Sequence, residues 1–544
     1  MRRLFVIAIA IGCSVLLSGP DTHAQGVVDF VYTGETTPSV AWEARYDGPM
    51  SGVDRVASMA LHPDGTIVYV AGESYGEAFS LDYITLAYDT DTGLELWQAR
   101  YDPSWRRNDL ATHVMVSPDG NMVYVTGTSI GSGADGGVGM GLGDADWDFV
   151  TLAYDSRTGA QIWEQRYHGH QRGDGWSNAM AISPDSGTVL INGRSNCMDD
   201  PATAESEPGN ATIAYDALTG DELWIACFES CLGYEDFATQ LAFSPDNSKV
   251  ILAGTHQRPV TGYDFATIVL DSQTGDQLWV RHYDSGLHDP DAPLQVPIFI
   301  GTDPTFDSAR AIAVDPFGVA VYVTGVSRGH YGLVDYATVV YELQSGNEKG
   351  VARFDGGLQG NDMAHAIAVS PDGLQVFVTG ESQTLDVGRE AVTIAYDARL
   401  RDEQWVARHN TSESDSGIPD GRDDVARLIG VSNDGTTVLI GGDTWGSNSL
   451  DWMFAAYDTA TGEQQWTGLY DGILSHADFY RGLAVNADAS RVFLTGHTCG
   501  CGNEGFDIVT MGIRVDGVAP ADEATRWFNP RKKGRGIHEG VRRR

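Results

Sequence analysis

Trp42-Glu43-Ala44-Arg45-Tyr46-Asp47, close to one end of the chain, and Asp507-Ile508-Val509-Thr510, close to the other, decide the fold. Each belongs to a repeated unit that it leaves incomplete. A complete copy stands at 362–408. It opens on Asp362, alternates Ala364, Ala366 and Ala368, and turns at Ser370-Pro371-Asp372-Gly373. The apolar run Val376-Phe377-Val378-Thr379-Gly380 follows, then a polar loop and Val392-Thr393-Ile394-Ala395-Tyr396-Asp397. After a short turn comes Trp405-Val406-Ala407-Arg408. Alternating apolar residues bounded by Pro-Asp-Gly and Asp-x-x-Thr-Gly turns signal strands joined by hairpins. Each unit therefore predicts four short antiparallel strands, here called a to d.

Strand d carries a Trp at 42, 97, 163, 224, 279, 405 and 466, with Gly350 in its place in one degenerate copy. Trp42–Asp47 is a strand d with no a, b or c before it, and 478–516 supplies a, b and c with no d after them. The two fragments complete one another, so the expected fold is all-β: an eight-bladed β-propeller of four-stranded antiparallel blades. Its ring closes when the N-terminal strand pairs with the last blade, placing Trp42 beside the strand around 507–514. Closure removes the open sheet edges that invite aggregation. An open array would instead need polar capping repeats, and neither end of the sequence offers one. A large apolar residue once per blade reads as packing between adjacent sheets.

The expected organisation is a signal peptide over 1–24, a lead-in over 25–39, the propeller over 40–516 and a basic tail over 517–544. Arg2 and Arg3 precede the apolar run from Leu4 to Leu17, and Thr22-His23-Ala24 offers a small-residue cleavage site. Nothing precedes Arg2-Arg3 to make a twin-arginine motif, and Cys13 matches a lipoprotein box only loosely. No stretch is long and apolar enough for a transmembrane helix. A secreted, periplasmic or cell-surface location is expected. The formal charge of −40 argues against nucleic acid and anionic membranes and in favour of cations or basic partners. The tail inverts that balance, with eight Lys and Arg over 526–544 against Glu539 alone. Beyond the leader, Cys197, Cys227, Cys231, Cys499 and Cys501 form an odd set, so at least one thiol lacks an intrachain partner. The sequence leaves their pairing open.

Asp216-Ala217-Leu218-Thr219-Gly220-Asp221-Glu222-Leu223-Trp224 resembles the repeat of quinoprotein-type propellers, a family of PQQ-dependent alcohol dehydrogenases and non-enzymatic outer-membrane assembly proteins. The Ser-Pro-Asp-Gly-x-x-Val-Tyr-Val-Thr-Gly half is similar to repeats of bacterial surface and secreted propellers. The resemblance covers roughly 40–516 and implies the fold. Its enzymes carry pyrroloquinoline quinone (PQQ) beneath an adjacent Cys-Cys pair, on a Trp platform, beside Ca²⁺ held by Glu, Asn and Asp. This chain has no Cys-Cys dipeptide, and Trp176 is the one Trp in an innermost strand.

The a–b and c–d turns are uniformly short, whereas the b–c and d–a connections vary and emerge together on the opposite face. They include 128–146, 196–208, 285–306 and 410–423. Long loops on a rigid scaffold are where binding resides. Two acidic positions recur on that face. At the entry to strand a stand Asp54, Asp109, Asp236, Asp307, Asp362, Asp424 and Asp478, with Asp174 one place off. On strand c stand Asp82, Asp148, Asp264, Asp335, Glu390, Asp451 and Asp507. The entry set is a candidate ring of metal-binding carboxylates near the channel mouth, although capping of backbone N–H groups at each loop–strand junction accounts for the repetition as well. No Gly-x-Ser-x-Gly, Walker or His-Glu-x-x-His motif is present, and no catalytic residue is assigned. The expected function is a monomeric, exported, non-catalytic scaffold binding a protein or glycan. The alternative is a PQQ-dependent dehydrogenase with Ca²⁺ in the funnel.

Overall fold

The computed structural model describes residues 27–32, 37–50, 52–76, 80–103, 107–130, 147–169, 175–195, 209–229, 237–258, 261–286, 307–329, 333–357, 360–384, 388–410, 423–445, 449–472, 477–499 and 505–516. Among these, every helix or strand element is a strand, and the strands form eight antiparallel sheets. No helix there is long and apolar enough to cross a membrane. The leader and the basic tail lie outside the described residues.

Blades 1 to 8 are defined by their innermost strands a: Asp54–Leu61, Asp109–Val116, Trp176–Ile182, Phe237–Phe243, Ser308–Val314, Asp362–Val369, Asp424–Val431 and Phe479–Val485. Each of these touches the strand a of both neighbouring blades, so the ring is closed around a central channel. Closure occurs as the sequence requires. In blade 8, Thr37–Tyr46 pairs antiparallel with Phe506–Asp516, and Trp42 stands opposite Gly512. The lead-in contributes more than its pattern shows: Val27–Tyr32 adds a fifth strand to blade 7, beside Gln464–Asp471.

Neighbouring blades are locked by a contact written in the two strongest repeat residues. The strand-d Trp of one blade lies against the c–d turn of the next. The indole N–H of Trp97 donates to the Ser156 carbonyl at 3.0 Å, and Trp42, Trp163, Trp224, Trp279 and Trp405 make the same bond to the next turn. The turn glycine has positive φ (68° at Gly159), and a Cβ there would stand 2.6 Å from the Trp97 ring. Glycine is thus required twice, by conformation and by space. Where the sequence has Gly350 in place of Trp, the facing turn lacks glycine as well. Leu400, buried and at φ 54°, packs with Val340, Ala352 and Tyr396 instead.

Strand a carries a β-bulge in every blade, falling on Ala57, Thr112, Asn178, Thr239, Arg310, His365, Arg427 and Arg481. A bulge re-aims the inserted residue and often lies next to a functional site. It also explains the Gly of the Val-Thr-Gly run on strand b. A Cβ on Gly72 would lie 1.9 Å from the Arg55 carbonyl oxygen.

Candidate functional sites at the long-loop face

The entry carboxylates are buried where the structure describes them: Asp54, Asp109, Asp307, Asp362, Asp424 and Asp478 are each at most 3 % exposed. Asp236 lies outside the described residues, as does Asp174. Capping of the junction is seen directly. The N–H groups of Gly48, Gly356 and Gly472 donate to Asp54, Asp362 and Asp478, and those of Ser285 and Arg328 donate to Asp307.

Five of these residues also belong to a larger arrangement. Among the described residues, five groups of three aspartates bring one oxygen each within 4.8 Å of the others: Asp47, Asp54 and Asp507; Asp82, Asp102 and Asp109; Asp264, Asp284 and Asp307; Asp335, Asp355 and Asp362; Asp451, Asp471 and Asp478. All five have one construction. One member comes from strand c of a blade, one stands at or just after the end of strand d of that blade, and one stands at the entry to strand a of the next. Each group ties a blade interface at the point where the chain crosses it. The entry member is buried in every group, and the one after strand d is half-open or open to solvent.

Electrostatics follow from that crowding. Burial pushes Asp109 up to about 7, against relief from Ser129 and Arg166, with Asp82 and Asp102 adding to the rise. Burial likewise takes Asp362 to about 6 and Asp478 to about 8, with neighbouring aspartates adding to both. The strand-c member is partly compensated: Arg100 pairs with Asp82 at 2.7 Å, Arg45 with Asp507 at 2.9 Å and Arg353 with Asp335 at 2.9 Å. Two other interfaces are built differently. His168 Nδ1 lies 3.1 Å from Asp148, and the Asn410 amide donates to Glu390 at 3.4 Å. Each takes the place that an aspartate holds in the groups of three. The sequence displayed the missing member as an aromatic-Asp pair closing strand d, as in Tyr101-Asp102 and Phe354-Asp355, but only the fold shows that it meets the next blade.

The channel mouth has a second feature, of opposite charge. A cavity of about 450 Å³ at the blade 8–blade 1 interface is lined by Arg55, Glu73, Phe479, Arg481, His497 and Phe506, among others. His497 stacks on Phe479 at 5.1 Å, Arg481 lies over Phe479 at 5.5 Å, and Arg55 over Phe506 at 5.9 Å. Phe479 opens strand a and Phe506 opens strand c, which places this wall at the long-loop end. Burial lowers both Arg481 and Arg310, and Arg427 lowers each further, so bulged cations on blades 5, 7 and 8 share one region. The carboxylates facing them are taken: Glu73 by Arg55, Asp443 by Arg427 and Glu381 by Arg389.

The described residues do not fit a PQQ centre. Those paired carboxylates leave no Glu–Asn–Asp set beside a quinone among the described residues. Trp176 is 40 % exposed and lies against Trp147, the rings tilted by 34° with centroids 4.9 Å apart. Cys227 is disulfide-bonded, and Cys499 is a free thiol.

No protein-family model and no curated protein matches the chain. Similar solved structures include Sqt1 from Chaetomium thermophilum, at 13 % identity over 87 % of this chain and 98 % of that one, with a TM-score of 0.50. A quinohemoprotein alcohol dehydrogenase from Comamonas testosteroni is 14 % identical over 90 % and 78 %, with a TM-score of 0.49. The Dos1 propeller is 10 % identical over 87 % and 95 %, also at 0.49. The chain is an eight-bladed β-propeller with a repeat-level resemblance to quinoprotein propellers. At these identities the likeness concerns the fold alone.

Proposed function

We propose that this chain is an exported, non-catalytic propeller that binds a protein or glycan partner through its long-loop face. The observation that carries this reading is the wall formed by Arg55, Phe479, Arg481, His497 and Phe506 at the long-loop end of the channel. Guanidinium groups over aromatic rings bind carboxylates, phosphates and planar or sugar faces without chemistry of their own. In a chain of net charge −40, cations gathered at one mouth select an anionic group on the partner. The signal-peptide pattern over 1–24 supports export, to the periplasm, the cell surface or the medium.

The test is calorimetric titration of the purified protein with two probes, a uronate oligosaccharide and an acidic peptide. One of them should bind, and Arg481→Ala with Phe479→Ala should weaken it by at least about tenfold. Failure of both probes at millimolar concentration would remove the anionic-partner reading. Addition of PQQ and Ca²⁺ separates the enzymatic alternative: stoichiometric uptake of the quinone with dye-linked alcohol oxidation would replace the scaffold by a dehydrogenase.

A further inference from the structure

We propose that the groups of three aspartates at the blade interfaces are structural Ca²⁺ sites, each clamping the end of one blade to the start of the next. The inference is independent of the ligand bound at the channel mouth.

Clustered carboxylates alone would not carry it, because exposed acidic groups are common without an ion. Buried oxygens that lack a donor do carry it. Both carboxylate oxygens of Asp109, which is fully buried, have no donor in hydrogen-bond geometry, although the Ser129 hydroxyl is near enough to oppose the rise of its pKa. The same holds for Oδ1 of Asp54, Asp264 and Asp362, all fully buried. Four of the five groups therefore contain a carboxylate that carries an oxygen shut off from water and without a donor, within reach of two further carboxylates. A buried acceptor left without a partner costs stability, and more when it is charged. Recurrence of that cost at four interfaces calls for a common partner that is positively charged.

Chemistry and spacing select the ion. Three carboxylates without imidazole or thiolate are a hard oxygen set, suited to Ca²⁺ or Mg²⁺ and not to zinc. One oxygen of each of the three aspartates lies within 4.8 Å of the others, close enough for all three to reach one ion with ligands at about 2.4 Å, the Ca²⁺ distance. Mg²⁺ demands near-ideal octahedral geometry and gives up its waters reluctantly, so a site of protein carboxylates favours the larger ion. Access is given by the solvent-facing member after strand d. The interfaces with His168 and Asn410 show the contrasting solution, in which a protein N–H meets the strand-c carboxylate and the third charge is absent.

The test uses the full chain, stripped with chelator and dialysed against 1 mM Ca²⁺. Atomic emission should find about five bound ions per chain, one for each group of three aspartates. The melting temperature should rise by several degrees over that in EDTA, and much less in Mg²⁺. Asp102→Asn copies the interface that carries Asn410. It should lose one ion and part of the Ca²⁺-dependent rise, while melting in EDTA at the parent temperature or above, since it relieves repulsion. Asp355→Asn repeats the experiment at a second interface should the first variant fail to fold. Less than one equivalent bound, equal melting in Ca²⁺ and EDTA, or an unchanged ion count in the folded variants would overturn the proposal.

Discussion

At the scale of single residues, this propeller is held by pairs whose members lie in different blades. Trp97 is 8 % exposed, and its N–H is satisfied by the Ser156 carbonyl. Trp97→Ala should therefore cost about 3–5 kcal/mol, measured by denaturant unfolding. Gly159→Ala should cost more than about 1 kcal/mol, because it combines strain at φ 68° with a clash on the Trp97 ring. The degenerate position makes a sharper case. Gly350→Trp restores the repeat residue, yet it should destabilise, since a Cβ at 350 already meets the Arg399 carbonyl at 2.5 Å. The sequence showed the Trp and the Gly as two separate periodicities. It did not show that they are partners across a blade boundary, or that Gly350 lies against the turn that carries Leu400. His497 supplies a pH dependence. Burial, with Arg481 and Arg55 nearby, lowers it from 6.5 to about 3. The unfolded chain takes up this proton first, so the contribution is complete above pH 6.5 and falls away toward pH 3. The slope approaches about 1.4 kcal/mol per pH unit between those limits. In His497→Gln, the acid limb of stability measured against pH should be flatter by that amount.

At the scale of elements, strand existence and order were legible, because each hairpin carries its own turn chemistry and each strand its alternation. What stayed hidden was whatever depends on two elements meeting. Two of the three acidic positions per interface were visible as repeats, Asp54 and its equivalents and Asp82 and its equivalents. They looked like a ring around the axis because a repeat gives position within a blade, not between blades. The channel wall was hidden for a similar reason. Arg310, Arg427 and Arg481 come together only because a bulge, which no spacing rule announces, turns the same position of each strand a. Val27–Tyr32 was also concealed, its short apolar run reading as a lead-in. Its removal tests the two N-terminal strands separately. A chain starting at residue 36 should keep the ring and lose a modest part of its stability. One starting at 48 should lose cooperative melting, because Phe506–Asp516 would then present an unpaired edge.

At the scale of the whole molecule, a formal charge of −40 implies self-repulsion that salt relieves. Raising NaCl from 10 to 200 mM should raise the melting temperature in EDTA as the Debye length falls from about 30 Å to below 10 Å. Closure of the ring has a different consequence, one of timing. Arg45 and Asp507, which pair in the closing blade, are 462 positions apart. At 5–20 residues per second, a ribosome makes the second roughly 20–90 s after the first. Throughout that interval the first-made strand of the last blade has nothing to join, and the ring cannot lock. Were the chain exported unfolded, as the proposed function implies, the delay would be a window in which transport runs ahead of folding.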